Sequence, residues 1–352
     1  MIGGPPFPTT PDELNPEFIG LALGQSVVEL VVDVIGAERG MVGQIAFVTA
    51  KFADGSTTTP FLAKFAARRD GSRASSRRAS AHLRELNFYD QLAERSPVRV
   101  PSVIGSWYDA TSDEFLILQE LVAVDNSIDQ IAGLPIDRVE SVIHQCGALH
   151  ASWWNSAELT SLEWLPRLDG DARRTNLTMI AENGWEPLCE LIGDELDDTE
   201  RALGSGLPGA IQNALRVSAA RTPTLIHSDL RGDNLLFNPI SGEVTIVDWQ
   251  GVGIGPGAWD VAYLLTQSLT VDDRRAHEKR ILGEYQKCLA GHRVELEWVE
   301  LTSSYADSLV FGLVVATSLP LIGDGSEPRL RTLAASMARR SIEALRDHDR
   351  LW

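Results

Sequence analysis

Cysteine is scarce in this sequence of 352 residues: Cys146, Cys189 and Cys288 stand far apart and none belongs to a Cys-x-x-Cys pair. A closed zinc set is therefore excluded, and the odd count argues against a disulfide framework. The three read as reduced, buried thiols of a cytosolic protein. Positive charge is also short, with 31 Lys and Arg against 49 Asp and Glu and a formal net charge of −18. A general nucleic-acid binder needs a basic face to displace counterions from phosphates, so no nucleic-acid partner is expected. Anionic membranes repel such a chain as well. The opening residues lack a basic segment followed by an apolar run, so no signal peptide is read and the location is expected to be cytoplasmic. The most apolar stretch, residues 309–316, is expected to stop at Pro320, short of the ~20 residues that span a bilayer, so it reads as a core helix and no membrane partner is expected. No Gly-Lys pair occurs anywhere, which removes a P-loop NTPase. Internal repeats and low-complexity segments are absent.

An apolar fraction of 44% with 23% charged residues is the composition of a globular protein, and the length allows one two-lobed enzyme. After a Pro-rich leader, residues 11–23 predict a short helix. Residues 27–35, 42–52 and 60–66 are rich in β-branched and alternating apolar residues, and Asp54-Gly55 supplies a turn, so three antiparallel strands are expected. Residues 72–94 carry Leu83, Leu86, Phe88 and Leu92 at helical spacing, and residues 101–107 and 114–120 read as two more strands. Beyond residue 121 the pattern turns helical, over 137–154, 171–191, 198–220, 258–268, 272–289, 297–319 and 328–348. Only 224–247 is strand-like there, with a loop from His227 to Asn234. The expectation is an α+β fold: residues 1–121 form a small sheet lobe and residues 122–352 a large helical lobe, with a cleft between them. The densest basic run, from Lys64 through Arg68, Arg69, Arg73, Arg77 and Arg78 to Arg84, reads as a solvated loop and helix start.

The strongest signal is Leu225-Ile226-His227-Ser228-Asp229-Leu230-Arg231-Gly232-Asp233-Asn234, followed by a strand that ends in Val247-Asp248-Trp249. His-x-Asp-x-x-x-x-Asn with a later Asp suits phosphoryl transfer. That chemistry needs a carboxylate to accept a hydroxyl proton and oxygen ligands to hold magnesium on phosphates. Asp229 is then the catalytic base, Asn234 and Asp248 are the metal ligands, and His227 braces the loop. The plain alternative is a polar turn between two core strands.

These motifs resemble the aminoglycoside phosphotransferase and choline kinase group of the protein-kinase-like fold. The resemblance is nearest to the branch of ecdysteroid-kinase-like proteins and bacterial phosphotransferases of unknown substrate. It extends from about residue 17 to 345 and is specific over residues 225–263, where Asp248-Trp249-Gln250 and Gly255-x-x-x-x-Asp260-Val261-Ala262 match. Ser228 stands where the group commonly has Gly, and Arg231 where many members have His or Trp. Arg231 is open to two readings, a phosphate contact or a pairing with a nearby acid. The resemblance implies a two-lobed kinase, small antiparallel lobe first, that uses ATP and Mg2+ to phosphorylate a small-molecule hydroxyl. It implies that Asp260 holds the catalytic loop, and that Lys64, a lone cation in an apolar strand, meets the ATP phosphates and Glu85. Gly40 and Gly43 fall where a kinase covers the phosphates, and Gln119, Glu120 and Leu121 fall where backbone meets adenine. His150 reads as a packed or capping residue, and the tryptophans 153, 154, 164 and 185 as mostly core. Two other classes compete: a pseudokinase-like nucleotide-binding module without catalysis, and, more remotely, a nicotinamide-dependent oxidoreductase built on Gly253-x-Gly255-x-x-Ala258. Nothing in residues 160–220 names the acceptor, and oligomeric state is not legible.

Overall fold

The computed structural model describes residues 2–35, 43–68, 70–125, 128–323 and 325–352. Gly40 lies outside the described residues. Two compact units are present, Met1–Arg95 with Arg99–Ala123, and Ser96–Val98 with Val124–Trp352.

The first unit is one antiparallel sheet of β1 (Val27–Ile35), β2 (Gly43–Phe52), β3 (Phe61–Ala66), β4 (Val103–Asp109) and β5 (Glu114–Glu120), in the order β1-β2-β3-β5-β4. Strand β5, paired between β3 and β4, shows why residues 115–118 are uniformly apolar. Successive side chains point to opposite faces, and both faces of β5 are covered. Leu116 and Leu118 join Phe61, Ala63, Phe65 and Ile19 of helix α1 (Pro16–Leu23) on one side. Phe115 and Ile117 join Leu86 on the other. Asn15 starts α1 by accepting the Phe18 N–H at 3.0 Å, and Gly24 ends it at φ 67°.

The helix expected over 72–94 is two helices, α2 (Asp70–Ala79) and α3 (Ala81–Gln91), because Ser80 takes a left-handed φ of 50° between them. The basic run is not simply solvated. Arg73 and Arg77 donate to the carbonyls of Ser112 and Thr111, each at 3.1 Å, and Arg68 and Arg73 reach Glu114 at 3.0 and 2.7 Å. These arginines fasten α2 to the β4–β5 turn.

The second unit is mainly helical. In chain order it contains α4 (Ile136–Ser152), α5 (Ala157–Ser161), α6 (Asp171–Ile192), α7 (Asp198–Arg201) and α8 (Leu207–Ser218). Four short strands follow, β6 (Thr224–Ile226), β7 (Leu235–Phe237), β8 (Val244–Ile246) and β9 (Gly253–Gly255). Helices α9 (Ala258–Ser268), α10 (Val271–Gly291), α11 (Trp298–Ser308), α12 (Val310–Ile322) and α13 (Pro328–Asp347) complete it. Strand β6 pairs antiparallel with β9, and β7 with β8.

Two expectations are corrected here. The single helix over 198–220 breaks into α7 and α8 around Gly204 and Gly206, where the rings of Trp185 and Trp352 fill the space a Cβ would need. The apolar run does not stop at Pro320, which lies inside α12. Trp298–Ile322 spans 25 residues and is long and apolar enough to cross a bilayer by composition, yet 67% of its most apolar window is buried within the molecule.

Candidate active site

Strand β6 delivers the chain into His227-Ser228-Asp229, and the first turn of α9 holds it there. Asp260 is fully buried and accepts the His227 N–H at Oδ2 (2.7 Å) and the Ser228 N–H at Oδ1 (2.8 Å). Both amides reach one carboxylate because Ser228 adopts φ 70°. A buried carboxylate is costly unless its lone pairs are satisfied, and here a second layer helps. His150 of α4 places Nε2 3.3 Å from Asp260 Oδ2 and Nδ1 2.8 Å from the Tyr285 hydroxyl of α10. Gly257 is obligatory beneath this chain, since a Cβ there would overlap both His150 and Tyr285.

His227 ties the loop to the end of the β8 segment. Its Nε2 lies 3.0 Å from Val247 O, and its Nδ1 accepts the Asp229 N–H at 3.2 Å. A carbonyl can only accept and an amide N–H can only donate, so these partners assign the neutral Nε2–H tautomer. The edge of this ring packs on Trp249 at 4.6 Å.

Three side chains surround the Asp229 carboxylate. Asn234 spends both Nδ2 protons on Asp229, donating to its backbone carbonyl at 2.8 Å and to its carboxylate Oδ2 at 2.9 Å, and among the described residues Asn234 Oδ1 accepts no hydrogen bond. Arg231 brings Nε to 3.2 Å from Asp229 Oδ1, and its Nη1 contacts Asp233 Oδ2 at 3.2 Å and Gln130 Oε1 at 3.4 Å. Of the two readings left open for Arg231, pairing with an acid is observed. Burial lowers the guanidinium pKa, but Asp229, Tyr263, Asp233 and Asp248 outweigh it and hold the group protonated. Tyr263, one helical turn beyond Asp260, lies close enough to feel the Asp229 charge, and burial followed by that negative charge drives its phenol pKa up, while its buried hydroxyl has no hydrogen-bond partner among the described residues. Asp248 leaves β8 at φ 64°, a strained conformation for a non-glycine residue that costs about 1–2 kcal/mol.

Helix α6 contributes Arg173, whose Nη1 donates to Gly251 O at 3.3 Å and whose guanidinium carbon lies 6.0 Å from the Trp259 ring centre. Burial lowers its pKa to about 10, against the pull of Asp260 and Asp229. Arg173, Tyr263 and Gln130 had not been singled out from the sequence. The three-residue step from Asp260 to Tyr263 is one helical face and was readable. The contact from Arg173 to Gly251 was not.

In the first unit, Lys64 Nζ bonds both oxygens of Glu85, at 2.9 and 2.8 Å, with 11% and 2% of the two side chains exposed. Lys64 projects from β3 on the face that α3 covers, opposite Ala63 and Phe65. Gly43 lies beside its stem: a Cβ there would come within 2.7 Å of Phe65 O and 3.8 Å of Lys64 Cγ. The Glu120 N–H is taken by Ser102 O at 2.8 Å, so Leu121 is the first amide beyond β5. Gln119 turns inward and its buried Oε1 lacks a hydrogen-bond partner among the described residues.

Trp153 and Trp185 are core residues whose indole N–H groups bond Ser96 Oγ (3.2 Å) and Arg201 O (3.0 Å). Gly253 and Gly255 lie within β9, antiparallel to β6. That pairing is not the parallel βαβ setting of a dinucleotide fingerprint.

The sequence pattern of the phosphotransferase enzyme family matches residues 50–298. An uncharacterized kinase-like protein of Caenorhabditis elegans is 33% identical over 98 residues, 27% of this chain; the match spans about a quarter of that relative's length, 26%. Among solved structures, the GDP complex of wild-type aminoglycoside 2'-phosphotransferase-IIIa superposes with a TM-score of 0.53 at 16% identity, covering 92% of this chain and 93% of that one. The Plasmodium vivax ethanolamine kinase gives 0.54 at 12% identity, covering 94% and 85%. At such identities the likeness is one of fold, two-lobed and kinase-like.

Proposed function

Since the chain belongs to the phosphotransferase enzyme family, we propose that it moves the γ-phosphate of ATP to a hydroxyl of a small molecule, with magnesium as cofactor. The observation that carries this reading is the Asn234–Asp229 clamp, in which both amide protons of Asn234 go to Asp229 at 2.8 and 2.9 Å. The clamp aims a carboxylate and frees Asn234 Oδ1 on a single loop. Magnesium takes few protein oxygens and fills its sphere with water and phosphate, and Asn234 Oδ1 with the Asp248 carboxylate fits that need. When bound, the ion supplies neutralisation of the charge on the phosphate oxygens.

The chain's own residues do the rest. Asp229 accepts the hydroxyl's hydrogen bond and orients its oxygen toward phosphorus. The proton passes to Asp229 Oδ as the bond to phosphorus forms and the bond to the β-phosphate oxygen breaks, leaving ADP. Arg231 stabilises negative charge beside it. His227 and Asp260 fix the loop without touching the reacting atoms. Lys64, held by Glu85, binds nucleotide phosphates, with Gly43 keeping the strand backbone close. Gln119, Glu120 and Leu121 form the adenine edge, where Leu121 offers the amide. The alternative, a nucleotide-binding module without catalysis, keeps the fold and loses one of these groups. Lys64, Asp229, Asn234 and Asp248 are all present.

The reading is tested by thermal shift with ATP or GTP, with and without magnesium, on the wild type and Asp248→Ala. A ligand of the native state raises the melting temperature by mass action, so no acceptor need be known. The expected outcome is a magnesium-dependent rise with ATP that Asp248→Ala abolishes. A wild type unmoved by either nucleotide at millimolar concentration would overturn the reading.

A further inference from the structure

Arg173 is a cation that the transfer chemistry leaves without a task. It sits in the first turn of α6, half-buried, and among the described residues its one hydrogen bond is the 3.3 Å contact to Gly251 O. Among the described residues no carboxylate comes within ion-pair distance of it. Its neighbours are engaged otherwise. Arg167 pairs with Asp169 at 3.0 Å, and Arg174 bonds Asp169 O at 3.1 Å and approaches Asp171 at 3.7 Å. Arg340 also has no carboxylate within ion-pair distance among the described residues. Arg340 donates to three carbonyls, those of Gln130 (2.9 Å), Gln267 (3.0 Å) and Ile131 (2.8 Å), and is thereby satisfied. Arg173 has one long bond and a ring at 6.0 Å, the outer limit of useful cation–π contact. Its remaining donors are not sealed from water, unlike the buried Nε of Arg231 and Arg274, so they stand open to an incoming anion.

Its position says which anion. Gly251 packs against the catalytic loop: a Cβ on it would lie 2.8 Å from His227 O and 3.7 Å from Asp229 Cβ. The charges of Asp229 and Asp260 act on Arg173, so it belongs to the surroundings of the proposed base. An ammonium-bearing acceptor would meet a like charge that no carboxylate among the described residues pairs directly.

We infer that Arg173 receives an anionic group of the acceptor, so that the substrate is a hydroxyl compound carrying a carboxylate or a phosphate rather than an amino sugar or amino alcohol. The inference rests on the phosphotransferase reading above and gives it a substrate class. The shared chemistry is an oxyanion held by a guanidinium fork, and the two sources are separated by experiment.

Thermal shifts are read on the wild type, Arg173→Gln, Arg173→Lys and Arg174→Gln, each with magnesium and a non-hydrolysable ATP analogue. Four sets of probes are added: hydroxycarboxylates such as glycerate and gluconate, sugar phosphates, neutral polyols, and amino alcohols with aminoglycosides. Positive probes are then followed by ADP release with ATP. The expected result is a wild-type response confined to one anionic set and weakened at least tenfold in apparent affinity by Arg173→Gln. Arg173→Lys, which keeps the charge without the fork, restores part of it. Arg174→Gln removes the same charge from an exposed neighbour and keeps the response. Three outcomes overturn the inference alone: a stronger response to amino compounds, no response to any anionic probe at about 10 mM, or equal losses in Arg173→Gln and Arg174→Gln. A wild type that ignores the nucleotide itself removes the phosphotransferase reading and this inference with it.

Discussion

Ser228 carries the sharpest local conflict in the catalytic loop. It holds φ 70° with its side chain buried, and among the described residues its hydroxyl has no hydrogen-bond partner. A non-glycine residue in that conformation costs about 1–2 kcal/mol, and an orphaned buried hydroxyl adds about 1–3 kcal/mol. Glycine removes both penalties and gives back about 0.5–1 kcal/mol through a freer unfolded chain. Ser228→Gly is therefore expected to stabilise the protein by roughly 1 kcal/mol, seen as a rise of about 2–4 °C in the melting temperature. A fall instead would show that the hydroxyl has a partner worth more than the strain. This scale also separates what the sequence could disclose from what it could not. Asp229, Asn234 and Asp248 were legible because phosphoryl chemistry demands those residue types at short spacings. Arg173 was not, because its meaning lies in a bond to Gly251 that crosses 78 positions of chain. The arginines of α2 misled for the same reason, since their carbonyl partners at Thr111 and Ser112 lie 34 and 39 residues away.

At the scale of elements, the start of α9 is the part on which the loop depends. Asp260 accepts from two loop amides and meets His150, which leans on Tyr285. Asp260→Asn turns one acceptor into a donor that must face either the His227 or the Ser228 N–H. The loss of the charge-assisted bonds and the donor–donor conflict together should cost about 3–5 kcal/mol. Tyr285→Phe removes only the outermost bond of the chain and should cost about 1 kcal/mol. Denaturant unfolding measures the two costs, and hydrogen exchange at the amides of residues 227–229 should accelerate strongly in Asp260→Asn and little in Tyr285→Phe. Equal exchange in both variants would mean that the loop is held by something else. The elements themselves were readable where the pattern is local and long. Strand β5, apolar on both faces, and helix α9, which opens after Pro256-Gly257, have the expected bounds. The expectations failed where tertiary contacts decide. Ser80 interrupts an otherwise helical stretch, the rings of Trp185 and Trp352 claim the space at Gly204 and Gly206, and the three residues of β9 are too few, and too glycine-rich, to show a period of two.

A net charge of −18 makes acid the informative perturbation of the whole molecule. Its carboxylates do structural work where α13 meets the rest of the helical unit. Glu278 of α10 accepts from Tyr305 at 2.7 Å, Arg274 at 2.8 Å and His348 at 2.8 Å, and Asp347 binds Arg274 and, at 2.8 Å, Arg275. Glu200 takes Arg339 and Arg346 from the same helix. Burial pushes Glu278 and Glu200 up, but His348, Tyr305 and Arg274 for the first, and Arg339, the Asp197 amide and Arg346 for the second, leave both lowered. Arg275 lowers Asp347, with burial opposing. Each group thus has a folded pKa below its unfolded value of about 4. A carboxylate shifted in that direction contributes stability that is complete above its unfolded pKa and is lost as pH falls through the folded one. Denaturant midpoints for these contacts should be level between about pH 7 and pH 5 and then drop below about pH 4. Glu278→Gln tests the assignment. It keeps the shape, lacks the charge and should be less stable than the wild type at neutral pH, and the two stability curves should converge as the medium approaches about pH 3. Curves that stay parallel across the whole range would mean that the acid sensitivity lies outside this junction.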